Sequence, residues 1–149
     1  MFLKKIMYNT FVNILKKGVI QIMYKEKFSN LPINVFGYSF HVYYVKDNNT
    51  FWYEIIATKD DNEYYVCKLD YAKTFKGIRT FLLNEIAKDL KEKYNLLNIK
   101  VFKNSIKLND KLFTLKKQKT NNDFSPIYDI KIELIQHIIE LRDKNVLVA

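Results

Sequence analysis

A chain of 149 residues with 48% apolar and 15% aromatic residues can build a packed core without disulfide or metal staples. Three Gly and two Pro argue against long flexible linkers, and the single cysteine, Cys67, excludes an intrachain disulfide and a thiolate zinc site. The net charge of +9 points towards anionic partners and away from an acidic mimic of DNA.

The basic residues are 23 Lys and 2 Arg, and 17 Ile and 15 Asn stand against 4 Ala. That skew is what the codons of an AT-rich genome produce, so the placement of charge says more than its total. Residues 1–27 carry +5, residues 28–97 are neutral, residues 98–119 carry +6 and residues 120–149 carry −2. Two basic blocks therefore flank a neutral middle.

Leu3, Ile6, Met7, Phe11, Ile14 and Leu15 recur at helical spacing. They predict an amphipathic helix over 2–17 with Gly18 just past its end, then a short strand over 19–24. The stretch from Ile6 to Leu15 is too short and too polar for a membrane span, and it lacks the features of a signal peptide. No membrane partner is expected. Ser29-Asn30-Leu31-Pro32 then breaks the pattern.

Residues 34–46, 51–59 and 63–71 are rich in aromatic and β-branched types. Asp47-Asn48-Asn49 and Asp60-Asp61-Asn62 supply turns between them, which predicts a three-stranded antiparallel meander. Alternation puts Tyr38, Phe40, Val42 and Tyr44, preceded by Phe36, on one face of the first strand. It puts Phe51, Tyr53, Ile55 and Ala57 on a face of the second, and Tyr65, Cys67, Leu69 and Tyr71 on a face of the third. Trp52, Ile56, Tyr64 and Val66 fall on the opposite side, with Cys67 read as a small hydrophobe in its strand.

A stripe of Phe75, Ile78, Leu82, Ile86, Leu90 and Tyr94 predicts a long helix over about 73–94, expected to pack on the meander. Residues 98–118 alternate apolar residues with Lys and turn at Asn109-Asp110, as short strands do. Ser125-Pro126 reads as a helix start, a capping hydroxyl followed by Pro at the first helical position. The helix over 126–143 is apolar nearly all round, so it contacts something on two sides. The fold class is α+β. It comprises an antiparallel β-meander packed against a long central helix, with flanking N- and C-terminal helices and a second small Lys-rich hairpin. One domain over 1–149 is expected, with parts 1–27, 34–97 and 98–149. Over residues 34–94 the order of three strands and one long helix resembles the small domains with which some phage-type integrases bind DNA; the likeness is one of element order and carries no residue across.

The motifs of phosphate loops, nucleophile elbows and zinc proteases are missing from the sequence. His41 and His137 lie on a predicted strand and a predicted helix and read as structural or surface histidines. Asp60, Asp61 and Glu63 form the densest acidic group, but Asp-Asp-Asn is turn chemistry. No catalytic residues, metal or cofactor are expected, and the chain reads as a non-enzyme.

Candidate binding residues come from the basic blocks. Lys100, Lys103, Lys107, Lys111, Lys116 and Lys117, with Lys119, are expected on one solvent face of the short strands. Lys73, Lys76 and Arg79 recur at the start of the long helix. Tyr43, Trp52 and Tyr64 are candidates to stack bases. The expected function is non-catalytic binding of a nucleic acid or nucleoprotein in a reducing, cytoplasmic compartment. The alternative is a protein–protein inhibitor or adaptor from a phage or mobile element, such as an anti-CRISPR inhibitor of a host defence complex, with Ile132, Ile135 and Ile139 at the interface. An enzyme would require His41 and His137 to converge beside a carboxylate.

Overall fold

The computed structural model describes residues 7–14, 20–70 and 73–144. In chain order its elements are β1 (Met7–Ile14), β2 (Ile20–Val35), β3 (Tyr38–Asp47), β4 (Thr50–Lys59), β5 (Asn62–Lys68), α1 (Thr74–Tyr94), β6 (Ile99–Phe102), β7 (Ser105–Leu108), β8 (Lys111–Thr114) and α2 (Ser125–Asp143). The fold is mixed α+β. Strands β1–β5 form one antiparallel sheet in sequential order and β6–β8 form a second. The chain divides into two compact units, Met1–Thr74 and Phe75–Ala149. Among the described residues no helix is long and apolar enough to cross a membrane.

The N-terminal helix expected over 2–17 is a strand wherever it is described. Met7–Ile14 pairs antiparallel with β2, Phe11 opposite Met23 and Ile14 opposite Ile20. The sequence supports both periods. Thr10, Val12 and Ile14 are β-branched and alternate, and pairing with β2 supplies the ladder that decides between them. Residues 2–6, 15–17 and Gly18 lie outside the described residues.

Strand β2 continues far beyond the short strand expected, through the pattern break. Its pairing with β3 skips from Asn30↔His41 to Asn34↔Ser39, so Leu31, Pro32 and Ile33 have no β3 partner. Pro32, which has no N–H to give a ladder, sits in that gap. The expected strand over 34–46 is interrupted by a two-residue turn at Phe36 and Gly37, with φ of 53° and 83°. Left-handed conformation at both positions matches the twist of a tight hairpin.

Gly37 meets this requirement without a Cβ. A Cβ there would lie 3.5 Å from Lys59 Cε, an ordinary contact, so the penalty for a side chain is one of backbone conformation. Gly37→Ala is expected to cost about 1–2 kcal/mol, read as a lower urea midpoint with unchanged slope.

The meander itself forms as expected, with Phe40↔Ala57, Val42↔Ile55 and Tyr44↔Tyr53 on one face. Phe40, Ile55 and Ala57 are fully buried, and Val45, Tyr43 and Ile56 are buried on the other face. Strand β5 departs from simple alternation. Ile55 pairs with Cys67 but Ile56 pairs with Tyr65, leaving Val66 as a bulge. The extra residue reverses the faces of the strand's first half. Tyr64, not Tyr65, joins Ala57 and meets the Tyr38 ring edge-on at 5.7 Å, while Tyr65 turns outward. Cys67 is half-buried, and burial, with Asp70 adding to it, pushes its thiol pKa up. Tyr71 lies outside the described residues.

In the second unit, Ile78, Leu82, Ile86 and Leu90 of α1 are buried as their spacing predicts, and Leu83 and Ala87 widen the stripe. Ile106, Leu108 and Phe113 bury one face of the second sheet. On α2, Ile127, Ile130, Leu134 and Ile138 are buried, and the His137 ring lies 5.4 Å from that of Phe113 on β8. The start of α2 differs from the expected serine cap. Phe124 occupies the cap position without a side-chain hydrogen bond. Asp123 does the work from one residue earlier, its Oδ1 accepting from Ser125 N at 3.1 Å and its Oδ2 from Lys119 N at 3.0 Å. The Lys119 N–H first, then Ser125, hold its carboxyl below the usual range.

Candidate functional site

The second sheet has one buried and one open face, and its register assigns each Lys to a side. Lys100 stands directly opposite Lys107, which stands opposite Leu112; Phe102 stands opposite Ser105, which stands opposite Thr114. Opposed residues share a face, so these six form two rows on the open side. Lys100, Lys107, Phe102 and Leu112 are all exposed, Phe102 at 48% and Leu112 at 55%. Beside the first row lies a groove of about 560 Å³, lined by Leu97, Asn98, Ile99, Lys100, Lys107, Asn109 and Asp110.

Lys100 and Lys107 make no ion pair or hydrogen bond through their ammonium groups among the described residues. Like charges directly across a strand pair disfavour the fold, so this placement has an electrostatic cost that the sheet carries. Asp110 lines the same groove without pairing to either. Lys103 adds a third exposed cation in the turn between β6 and β7, and Lys117 follows β8.

The remaining predicted lysines disperse. Lys111 pairs with Leu108, on the sheet's other face, and its Nζ lies 5.1 Å from the Phe113 ring centre. Lys116 Nζ is 3.6 Å from Glu133 Oε2 on α2. Lys119 is exposed, its backbone tied to Asp123. Lys73 precedes α1 in a turn closed by its N–H to Asp70 O, and Lys76 is exposed on the helix. Arg79 is half-buried, and burial lowers its pKa. Turned to face it, the Gln118 amide oxygen accepts from both terminal guanidinium nitrogens at 2.5 and 3.1 Å.

The aromatic residues expected to stack bases are not presented together. Tyr43 is 4% exposed, and Tyr64 turns to the opposite face. Trp52 donates to Glu54 Oε2 at 2.8 Å and lies under Lys68 Nζ. Lys25 Nζ, 3.3 Å from Glu54 Oε1, offsets that buried carboxylate. Two exposed rings of the first sheet, Phe28 and Phe51, lean on Tyr53 and Tyr44 respectively.

His41 and His137 fall in different units, each with local partners. His137 Nδ1 is 3.6 Å from Glu140 Oε1. His41 Nδ1 lies 2.7 Å from Asn30 Oδ1, which can only accept, so Nδ1 carries the proton and Nε2 accepts from the Thr58 hydroxyl at 2.9 Å. Burial first, then Lys27, lowers the imidazole pKa from its ordinary 6.5, against an opposing effect of Glu63. The unfolded chain then binds the proton more readily than the folded one. Stability from this group is complete above about pH 6.5 and falls as pH drops through the folded value. His41→Asn is expected to flatten that dependence between about pH 7 and about pH 5, measured as urea midpoints.

Asp60 and Asp61, with φ of 52° and 65°, form the tight turn between β4 and β5, and no set of three metal-ligating side chains is gathered among the described residues. On α2, Ile132 and Ile139 are 54% and 50% exposed, Ile135 is half-buried, and Tyr128 extends the same side at 42%. Their spacing of four, three and four residues draws one apolar line about a third of a turn from the buried face.

The fold and these surfaces define an α+β protein with an open, basic sheet face and an apolar helix edge. Comparison with protein families, curated proteins and solved structures finds no match to the chain.

Proposed function

We propose that this chain is a non-catalytic binding protein that engages a nucleic acid, alone or within a nucleoprotein, through the open face of β6–β8. The observation that carries the reading is the Lys100–Lys107 couple, directly opposed on adjacent strands and without an ion-pair partner among the described residues. A polyanion would relieve their repulsion and release its own counterions as it docked. The interface is narrower than the block of seven lysines expected from the sequence: Lys100, Lys103 and Lys107 form its centre, with Lys117 at its margin. The test is a salt titration of affinity for a labelled oligonucleotide. Log affinity should fall linearly with log salt, and each of the two opposed lysines should contribute about 0.7–0.9 to the slope.

A second reading is supported by a separate surface. The exposed line of Ile132, Ile135 and Ile139 suits a protein partner, as an inhibitor or adaptor would need. Association through it would be insensitive to salt and would survive loss of the two lysines.

A further inference from the structure

We infer that the nucleic acid taken by the β6–β8 face is single-stranded, with an unpaired base stacked on Phe102; this inference rests on the binding reading above. Phe102 is two residues from Lys100 on one strand, so the two side chains stand on the same face about 7 Å apart along it. Phe102 is 48% exposed, and the residues beside it in its row, Ser105 and Thr114, are small. About half of Phe102 is thus open to solvent beside small side chains, and a planar group can reach the ring. Leu112 adds a second exposed apolar side chain next to Lys107.

A duplex has little use for such a ring. It offers phosphates on the outside and only base edges in its grooves, while the base faces are stacked within. A single strand offers both partners at once, phosphates for the two opposed ammonium groups and an open π-face for the ring. An array of lysines alone would serve either form. It is the exposed aromatic ring set among the cations that selects the single strand.

The test uses the full chain and fluorescence anisotropy with oligothymidylate, oligouridylate and a mixed-sequence duplex, each about a dozen nucleotides or base pairs long. Both single strands should bind more tightly than the duplex. Phe102→Ala should weaken single-strand binding about tenfold and leave duplex binding unchanged, while Phe102→Trp retains the preference. A thermal melt equal to that of the unaltered chain shows that the exposed position has not disturbed folding. Equal loss on single strand and duplex, or no loss on either, would overturn the stacking inference. If Lys100→Glu with Lys107→Glu abolishes binding while Phe102→Ala does nothing, the binding reading stands and this inference alone fails. If the double lysine variant binds as well as the parent, the binding reading itself fails.

Discussion

Reversing Lys100 and Lys107 together to Glu is expected to abolish measurable oligonucleotide binding at about 0.1 M salt, while leaving the fold intact. The two side chains are exposed and, among the described residues, make no ion pair or hydrogen bond whose loss would destabilise the sheet. Reversal even replaces one like-charge pair by another of the same kind, so stability should change by no more than about 0.5 kcal/mol. Binding should respond far more strongly, because two attractions become two repulsions at the centre of the interface. Two parallel variants separate the surface from the total. Lys88→Glu with Lys91→Glu changes the net charge equally on the exposed back of α1. Lys111→Glu reverses a charge on the other side of the same small sheet. Both should bind close to normally. Equal losses in all three would show that general positive charge, and not this face, holds the ligand.

The second large effect concerns the two apolar sides of α2. Leu134 is fully buried and Ile132, two residues earlier, is 54% exposed. Leu134→Ala removes buried methyl groups and leaves a cavity, and should cost about 2–5 kcal/mol of unfolding free energy. Ile132→Asp places its carboxylate in water and should leave stability within about 0.5 kcal/mol. If α2 also meets a protein partner, Ile132→Asp and Ile139→Asp should each abolish that association without lowering the melting temperature. Destabilisation by Ile132→Asp comparable to that of Leu134→Ala would mean that this line of the helix is part of the fold, and the partner reading would lose its surface.

The elements most legible in the sequence are those where one period has no rival. Ile78, Leu82, Ile86 and Leu90 recur too regularly to be anything but a helix side, and Phe40, Val42, Ile55 and Ala57 lie where alternation puts them. Met7–Ile14 is ambiguous because apolar and β-branched residues there satisfy both periods, and only the pairing with Ile20–Glu26 resolves it. Phe36 departs from the alternation because a bulky aromatic residue seldom takes φ of 53°, so the turn it shares with Gly37 carries only half of the usual signal.

The candidate interface was legible in part for a similar reason. A two-residue turn at Asn109-Asp110 pairs its neighbours, Leu108 and Lys111, and paired residues share a face. Alternating spacing makes Lys100, Lys107 and Lys111 look like one set; counting across the turn puts Leu112 beside Lys107 and sends Lys111 to the buried side. Phe102 could have been found by the same count, since it lies two residues from Lys100. The ion pair of Lys116 with Glu133 joins residues far apart in the chain, and no local pattern announces it.

The surplus residue in β5 bears on how relatives of this chain will be recognised. On either side of Val66 the inward and outward positions are out of step by one. A sequence that lacks the surplus residue would keep the same sheet only with a gap of one at this point. An alignment that allows no gap would match inward with outward positions along half of the strand, and would score a true relative as a stranger.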